Sequence, residues 1–316
     1  MKIKFFPFQI TIESDIDKKD VILFTDRKTG ILYEENVPGK KSVHFLYTCP
    51  LGKILLKSIF CGRPIQYLQG LFMDIFLSRF LIKSFIRNYQ IDMNDSLLSE
   101  NQFKSFNAFF TRKLKQGSRF VNDDDNKIIS PADGKILVFE KADQSMNFYI
   151  KGTSFDITGF IADKKLSEQF VNASMAIIRL APVDYHRFHF PVSCIPSKSV
   201  LIKGKYYSVS PLALRRNIEI FNQNKREICL LKSKQGSDIL MIEVGATFVG
   251  GIKQTYVPGI ETEKGVEKGY FKFGGSTVVL LFKEDTIQFD KDLLDNTRKG
   301  FETTIRMGES IASFVE

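Results

Sequence analysis

Residues 127–140 read KIISPADGKILVFE. A short apolar pair runs into a Ser-Pro-Ala-Asp-Gly turn and out into a second apolar, β-branched run. Pro131, Asp133 and Gly134 are the punctuation, so the stretch predicts strand, turn, strand. The same texture continues to the C-terminus. It recurs in SMAIIRLAPV (174–183), SDILMIEVGATFVGGI (237–252), TVVLLFKE (277–284) and TIQF (286–289), each bounded by Gly, Pro or Asp. EKGVEKGYFKFGG (263–275) and ETTIRMGESIASF (302–314) each set a Gly turn between strand-like runs, as in compact β-sandwich barrels. Only KLSEQFVNA (165–173) and PLALRRNIEIF (211–221) carry helical spacing in this part of the chain.

Toward the N-terminus the texture changes. Between 46 and 91, Lys53, Lys57, Arg63, Arg79, Lys83 and Arg87 stand against the single acid Asp74, a local excess of five positive charges. GLFMDIFLSRFLIKSFIRNY (70–89) places Phe72, Ile75, Phe76, Arg79, Phe80, Lys83 and Arg87 at helical spacing. Bulky apolar residues with a basic flank suit a helix lying on a membrane surface, and they equally suit one packed on a core. In SFNAFFTRKL (105–114), Ser105 is an N-cap candidate, with Phe106, Phe109 and Phe110 on the apolar side of a short helix. Residues 1–45 mix strand-like QITI, VILF and ILYEE with charged turns such as DRKTG. The expected fold class is therefore α+β. A short strand-like segment (1–45) precedes a helical, basic, membrane-associating section (46–118). A β-rich, barrel- or sandwich-like catalytic domain (119–316) follows.

The chain has 316 residues, and its length allows about two domains. At 43% hydrophobic and 26% charged residues it is of ordinary globular composition, which excludes a disordered or collagen-like chain. The net charge of +9 suggests an anionic partner, nucleic acid or an acidic membrane surface. Thirty Phe and no Trp tilt the choice toward lipid, and no DNA- or RNA-binding motif is present. Cys49, Cys61, Cys194 and Cys229 form no CxxC pair, and are expected to be idle thiols in a reducing compartment. MKIKFFPFQITIESD turns acidic too early for a signal peptide, and no apolar run reaches 18 residues. Any membrane contact is expected to be peripheral.

Three short segments carry chemistry. His186 and His189 lie three apart in APVDYHRFHFP, and His44 is the other histidine. They lack the HExxH pattern and a clustered third ligand, so no metal is expected; imidazoles suit acid–base work, or a structural role in a core. Asp133 sits in the Pro-Ala-Asp-Gly turn, a residue type that also serves turns in general. Ser276 follows Gly274 and Gly275 and does not fit GxSxG.

Together these segments resemble the phosphatidylserine decarboxylase family. SFNAFFTRKL is similar to its SFNxFFxRxL, SPADGKI to its PADG, YHRFHFP to its YHRxHxP, and KGVEKGYFKFGGST to its KGxxxGxFxxGST. They occur in the family's order, and DRKTG and RMGESIA also resemble family members. One departure is visible: Gly274 stands where the family commonly has Leu.

The resemblance implies an enzyme that processes itself. Ser276 Oγ would attack the carbonyl of Gly275, where glycine relieves backbone strain. His189 would be the base, and Asp133 would orient it as in a serine-protease triad. β-Elimination would part a large chain (1–275) from a small chain (276–316). Ser276 would become a covalent pyruvoyl group, the cofactor, which forms a Schiff base with the amine of phosphatidylserine. His186 would assist decarboxylation, giving phosphatidylethanolamine and CO₂ for phospholipid biosynthesis. The implied partners are phosphatidylserine, an anionic membrane surface at the cytoplasmic face of the cell membrane, the two chains as a heterodimer and a homo-oligomer. Two alternatives stay open on the residues alone: a serine hydrolase using Asp133, His189 and Ser276, and a non-catalytic membrane-binding module.

Overall fold

The computed structural model describes residues 3–4, 9–10, 22–35, 63–142, 156–209, 220–246 and 251–315. Strands β1 (Ile3–Lys4) and β2 (Gln9–Ile10) pair with each other, and β3 (Leu23–Thr25) and β4 (Leu32–Glu34) form a hairpin around DRKTG. Helices α1 (Arg63–Asp74), α2 (Phe80–Tyr89) and α3 (Phe106–Phe110) follow. Then come β5 (Lys127–Ile129), β6 (Gly134–Phe139), α4 (Ile157–Ile161), α5 (Lys164–Ser167), β7 (Ser174–Leu180), β8 (Arg187–His189), β9 (Cys194–Pro196) and β10 (Val200–Ile202). The rest is α6 (Ile220–Gln223), β11 (Arg226–Ser233), β12 (Ile239–Gly245), β13 (Ile252–Gln254), β14 (Glu267–Phe271), β15 (Ser276–Phe282), β16 (Ile287–Phe289), α7 (Lys291–Arg298), β17 (Glu302–Ile305) and β18 (Ser310–Phe314).

The α+β expectation holds. One sheet of ten strands runs β10-β11-β12-β15-β7-β6-β17-β3-β4, with β9 added on β11. Only β17–β3 is parallel within it; its other pairings are antiparallel. Two three-stranded sheets, β13-β14-β8 and β16-β18-β5, complete the β-structure of this part. The large sheet stays open at β10 and β4, so the architecture is layered rather than a closed barrel.

β15 lies between β12 and β7, and both of its faces are covered. Val278, Leu280 and Phe282 pack with Phe188 and Phe271 of the small sheet on one side. Val279 and Leu281 pack with Phe160 and Phe221 on the other. This double burial is why the strand reads as an unbroken apolar run rather than an alternating one.

The helical section departs from the expected continuous helix. Ile75 is extended (φ −80°, ψ 157°), and a 3₁₀ turn (Phe76–Arg79) separates α1 from α2. The cause is Ser78, which is fully buried. Its hydroxyl donates to the Ile75 carbonyl at 2.7 Å and accepts from Phe106 N–H at 2.8 Å. A serine oxygen spent this way competes with the helix ladder. Ser105 caps α3 as expected, accepting from Ala108 N–H at 3.1 Å. Phe106, Phe109 and Phe110 are buried against Ile82 and Phe103. On the other side, Leu71, Phe72, Phe76, Leu77, Phe80 and Leu81 face solvent, with Phe80 71% exposed.

The helix expected over 165–173 is α5 and a 3₁₀ turn (Glu168–Phe170). Of the helix expected over 211–221, residues 211–219 lie outside the described residues, as do residues 46–62, His44, Cys49, Cys61 and the second half of QITI. Cys194 and Cys229 are buried free thiols, and burial pushes the Cys194 thiol up to about 12.

Candidate active site

Ser276 opens β15, opposite Gly245 of β12 and Leu180 of β7. It is fully buried, and its Oγ has no hydrogen-bond partner among the described residues. Strand alternation places Ser276 on the face of Val278 and Leu280, the face that meets the β13-β14-β8 sheet. The turn that delivers it is held from outside. Phe273 N–H donates to Asn107 Oδ1 at 2.8 Å, and the Phe273 ring sits 5.0 Å from Phe106 and 5.2 Å from Phe110. The SFNAFF segment therefore buttresses the Gly-Gly-Ser turn from about 170 residues away in sequence.

The two glycines divide their work differently from expectation. Gly274 has φ 143°, a conformation side-chain-bearing residues rarely adopt. Gly275 has no such angle, and an added Cβ would meet Val209 and Ala246 at ordinary distances of 3.7 and 3.8 Å. The unusual backbone thus belongs to Gly274, the position where the family commonly has Leu, and not to Gly275.

His189 ends β8, opposite Glu267 of β14. Its Nδ1 is 2.9 Å from the Gly265 carbonyl, and its Nε2 is 3.2 Å from the Tyr185 hydroxyl. A carbonyl only accepts, so Nδ1 carries the proton and Nε2 is the basic nitrogen, receiving the Tyr185 O–H. His186 repeats the pattern. Its Nδ1–H donates to the Asp184 carbonyl at 2.9 Å, its ring lies 3.9 Å from that of Phe110, and its Nε2 is buried with no partner among the described residues. Burial holds both imidazoles neutral. It takes His186 down to about 3, helped by the charge of Arg112, and it lowers His189 against the opposing Gly265 bond and the Glu267 and Asp133 charges.

Asp133 is buried but not hydrogen-bonded to His189. Arg119 grips its carboxylate through Nε (2.9 Å) and Nη2 (2.5 Å), and Met307 N–H donates to it at 2.8 Å. The RMGES turn thereby reaches Asp133. At Gly134 next door, a Cβ would collide with the Arg179 carbonyl of β7, so only glycine lets this turn approach the sheet. In place of the expected Asp133–His189 bond, the structure uses a backbone carbonyl to orient the imidazole and leaves Asp133 to act on it through charge.

A polar cavity of about 370 Å³ opens beside these residues, lined by Asp133, Tyr185, Arg112, Arg119 and Lys135 among others. It reaches the Asp133–Tyr185 side of the site, while Ser276 and the two histidines are not in its wall. Among the described residues no group of His, Cys, Asp and Glu is arranged to hold a metal.

The family model for phosphatidylserine decarboxylase matches residues 106–313. The chain belongs to the phosphatidylserine decarboxylase family. It is 45% identical to the phosphatidylserine decarboxylase proenzyme of Clostridium tetani, over 92% of this chain and 98% of that one. The proenzymes of Fusobacterium nucleatum (42%; 92% and 97% covered) and Ruminiclostridium cellulolyticum (41%; 94% and 99%) are similarly related. The match spans the segments around Asn107, Asp133, His186, His189 and Ser276. Members of this decarboxylase family are enzymes, so a non-catalytic module is not the reading the chain supports.

Several residues of the site escaped sequence reasoning. Tyr185, Arg112 and Asn107 lie inside the family-like segments, where the histidines and serine drew the attention. Nothing in KQGSRF marks Arg119, whose role comes only from its contact with Asp133.

Proposed function

We propose that this chain cuts its own backbone between Gly275 and Ser276 and then decarboxylates phosphatidylserine to phosphatidylethanolamine. The observation that carries this reading is the buried, unpartnered Ser276 Oγ behind the Gly-Gly turn. Leaving such a hydroxyl unsatisfied costs about 1–3 kcal/mol, which a purely structural position would shed by being Ala or Val.

In self-cleavage, Ser276 Oγ gives its proton to His189 Nε2, for which the Tyr185 hydroxyl swings aside. The oxygen adds to the Gly275 carbonyl carbon, His189 hands the proton on to the Ser276 nitrogen as the Gly275–Ser276 C–N bond breaks, and an ester joins the two parts. Loss of the Ser276 Cα proton expels Gly275 as a carboxylate and leaves dehydroalanine, which takes up water and releases ammonia. Asp133 favours the transient imidazolium by charge, while the Gly265 carbonyl fixes the ring.

The residues around Ser276 fit a pyruvoyl group. The position is buried, the turn before it is held by Asn107, and a basic nitrogen, His186 Nε2, is free. Such a group supplies an electron sink for an amine substrate. His186 Nε2, neutral and without a competing partner among the described residues, is the group we assign to taking the proton that the substrate ammonium sheds on joining the ketone and returning it to the substrate Cα once CO₂ has left. The small chain stays in place after the cut. Its β15 remains laddered to β12 and β7, its β17 to β6 and its β18 to β5.

The exposed ridge of Leu71, Phe72, Phe76, Leu77 and Phe80, with Arg79, Lys83 and Arg87 alongside, is suited to a peripheral seat on an anionic leaflet, at the cytoplasmic side of the cell membrane. Among the described residues no helix is long and apolar enough to cross a membrane. In this reading residues 46–118 form the membrane-associating section and 119–316 the catalytic domain, with β3 and β4 from 1–45 adding to its sheet. Phospholipid biosynthesis is the setting. The test supplies carboxyl-labelled phosphatidylserine in vesicles to the two-chain protein. Labelled CO₂ and phosphatidylethanolamine are expected; no CO₂ from fully cleaved protein contradicts the reading.

A further inference from the structure

Three arginines among the described residues are buried: Arg112, Arg179 and Arg226. Two are saturated. Arg179 forks onto Glu35 and Glu302, and Arg226 donates to the carbonyls of Gly159, Phe160, Asn222 and Asn224. Arg112 differs. It is 6% exposed and makes one long hydrogen bond, from Nη2 to the Val183 carbonyl at 3.3 Å; its Nη1 has no partner among the described residues. Among the described residues no carboxylate forms an ion pair with it, the Asp184 and Asp133 charges acting only from further off, and its guanidinium lies over the Phe109 ring at 5.3 Å. A buried guanidinium with a donor left unsatisfied is costly, and an anion entering beside it would complete it.

The surroundings say where that anion comes from. Arg112 lines the 370 Å³ polar cavity, a volume suited to a small headgroup. It also stands next to His186 by two independent pairs of neighbouring residues. Arg112 rests on Phe109 and reaches Val183 O; His186 rests on Phe110 and reaches Asp184 O. The two unpartnered nitrogens, Arg112 Nη1 and His186 Nε2, thus sit on neighbouring segments, Arg112 in the cavity wall and His186 outside it but within reach of the Arg112 charge.

We infer that Arg112 is a substrate-binding residue that receives the phosphodiester of the lipid headgroup. The inference rests on the proposed decarboxylation, because that reaction decides between the two anions the substrate carries. A guanidinium clamped on the departing carboxylate would stabilise the ground state more than the CO₂-like transition state and would oppose the reaction. On the phosphodiester, whose charge does not change, the same contact anchors the headgroup without that penalty. The planar fork of Arg112 suits two phosphate oxygens.

The test is a titration of the full-length protein, wild type beside Arg112→Gln and Arg112→Lys. One arm uses glycerophosphoethanolamine, a phosphodiester without a carboxylate; the other uses serine, a carboxylate without a phosphate. Binding is read by ³¹P and ¹³C line broadening, which needs no turnover. Wild type should bind the phosphodiester, Arg112→Gln at least about tenfold more weakly and Arg112→Lys in between, with serine unaffected. Phosphodiester binding that survives Arg112→Gln, or a loss confined to serine, overturns the inference. Should Arg112→Gln fail to fold, phenylglyoxal labelling of the wild-type protein decides. Glycerophosphoethanolamine should protect the peptide holding Arg112, and unchanged labelling overturns the inference. The two readings fail separately. A protein that passes the titration but releases no CO₂ loses the proposed reaction and keeps the anion site; one that decarboxylates but fails the titration loses only Arg112.

Discussion

Two regions of this molecule are rich in phenylalanine, and they use it in opposite ways. Around the site, Phe106, Phe109, Phe110, Phe188 and Phe271 are buried, and the Phe110 ring lies against His186. At the surface, Phe72, Phe76 and Phe80 are exposed beside basic residues. Both helical stretches read alike by spacing and composition. The difference comes from partners in the fold: α3 has the Gly-Gly turn and α2 to pack against, while the outer face of the 3₁₀ turn and α2 has none among the described residues. Inner phenylalanines set the chemistry of the buried groups; outer ones are free to set where the enzyme sits.

The sharpest way to break this contrast is to separate the buried histidines. His189→Ala should accumulate uncleaved chain on a gel. His186→Ala should cleave and then release CO₂ slower by roughly 10²–10⁴-fold, the usual loss for a general acid–base. An uncleaved His186→Ala, or a cleaved one of normal activity, reverses the assignment.

Next in size is the packing itself. Phe109→Ala should destabilise the protein by about 3–5 kcal/mol in urea, because Phe109 is fully buried in the aromatic cluster. Phe80→Ser should change the same midpoint by no more than about 0.5 kcal/mol. Its effect should instead appear as weaker sedimentation with anionic vesicles, in an assay whose binding also falls with salt. Equal stability losses at the two positions would erase the distinction between the regions.

The remaining expected effect is on pH dependence. His186 drops from the ordinary 6.5 to about 3 in the folded protein, facing Arg112 and the Asp184 carbonyl. Between those values the unfolded chain holds the extra proton and the folded one does not. Stability is therefore fully kept above pH 6.5 and declines as pH falls from 6.5 toward 3. Urea midpoints across that range should show a shallower decline in His186→Gln than in wild type; parallel slopes would mean the ring titrates normally.

Much of this was readable beforehand, for physical reasons that can be named. Ser276 to Phe282 and Ser174 to Leu180 are continuous apolar strands because both faces of the large sheet are covered. Ser105 is a cap because a hydroxyl before an apolar turn has an N–H to accept from. The break at Ile75 was not legible, since it depends on Ser78 meeting Phe106 N–H 28 residues later. Nor was the partnership of Asp133. Its nearness to His189 in family pattern suggested a triad bond, but Arg119 competes for the carboxylate and Gly265 supplies the acceptor for His189. Long-range pairings of this kind have no local signature. Gly274 is an intermediate case: the departure from Leu was visible, but its positive φ was not.

The central claim, self-cleavage at Gly275–Ser276, is tested most directly by the intact mass of the purified chain under denaturing conditions. The account predicts two species, residues 1–275 and the last 41 residues (316 − 275) with a blocked N-terminus, and a single full-length species for Ser276→Ala. One uncut species of 36.2 kDa from active wild-type protein, or cleavage at this bond in Ser276→Ala, would contradict it.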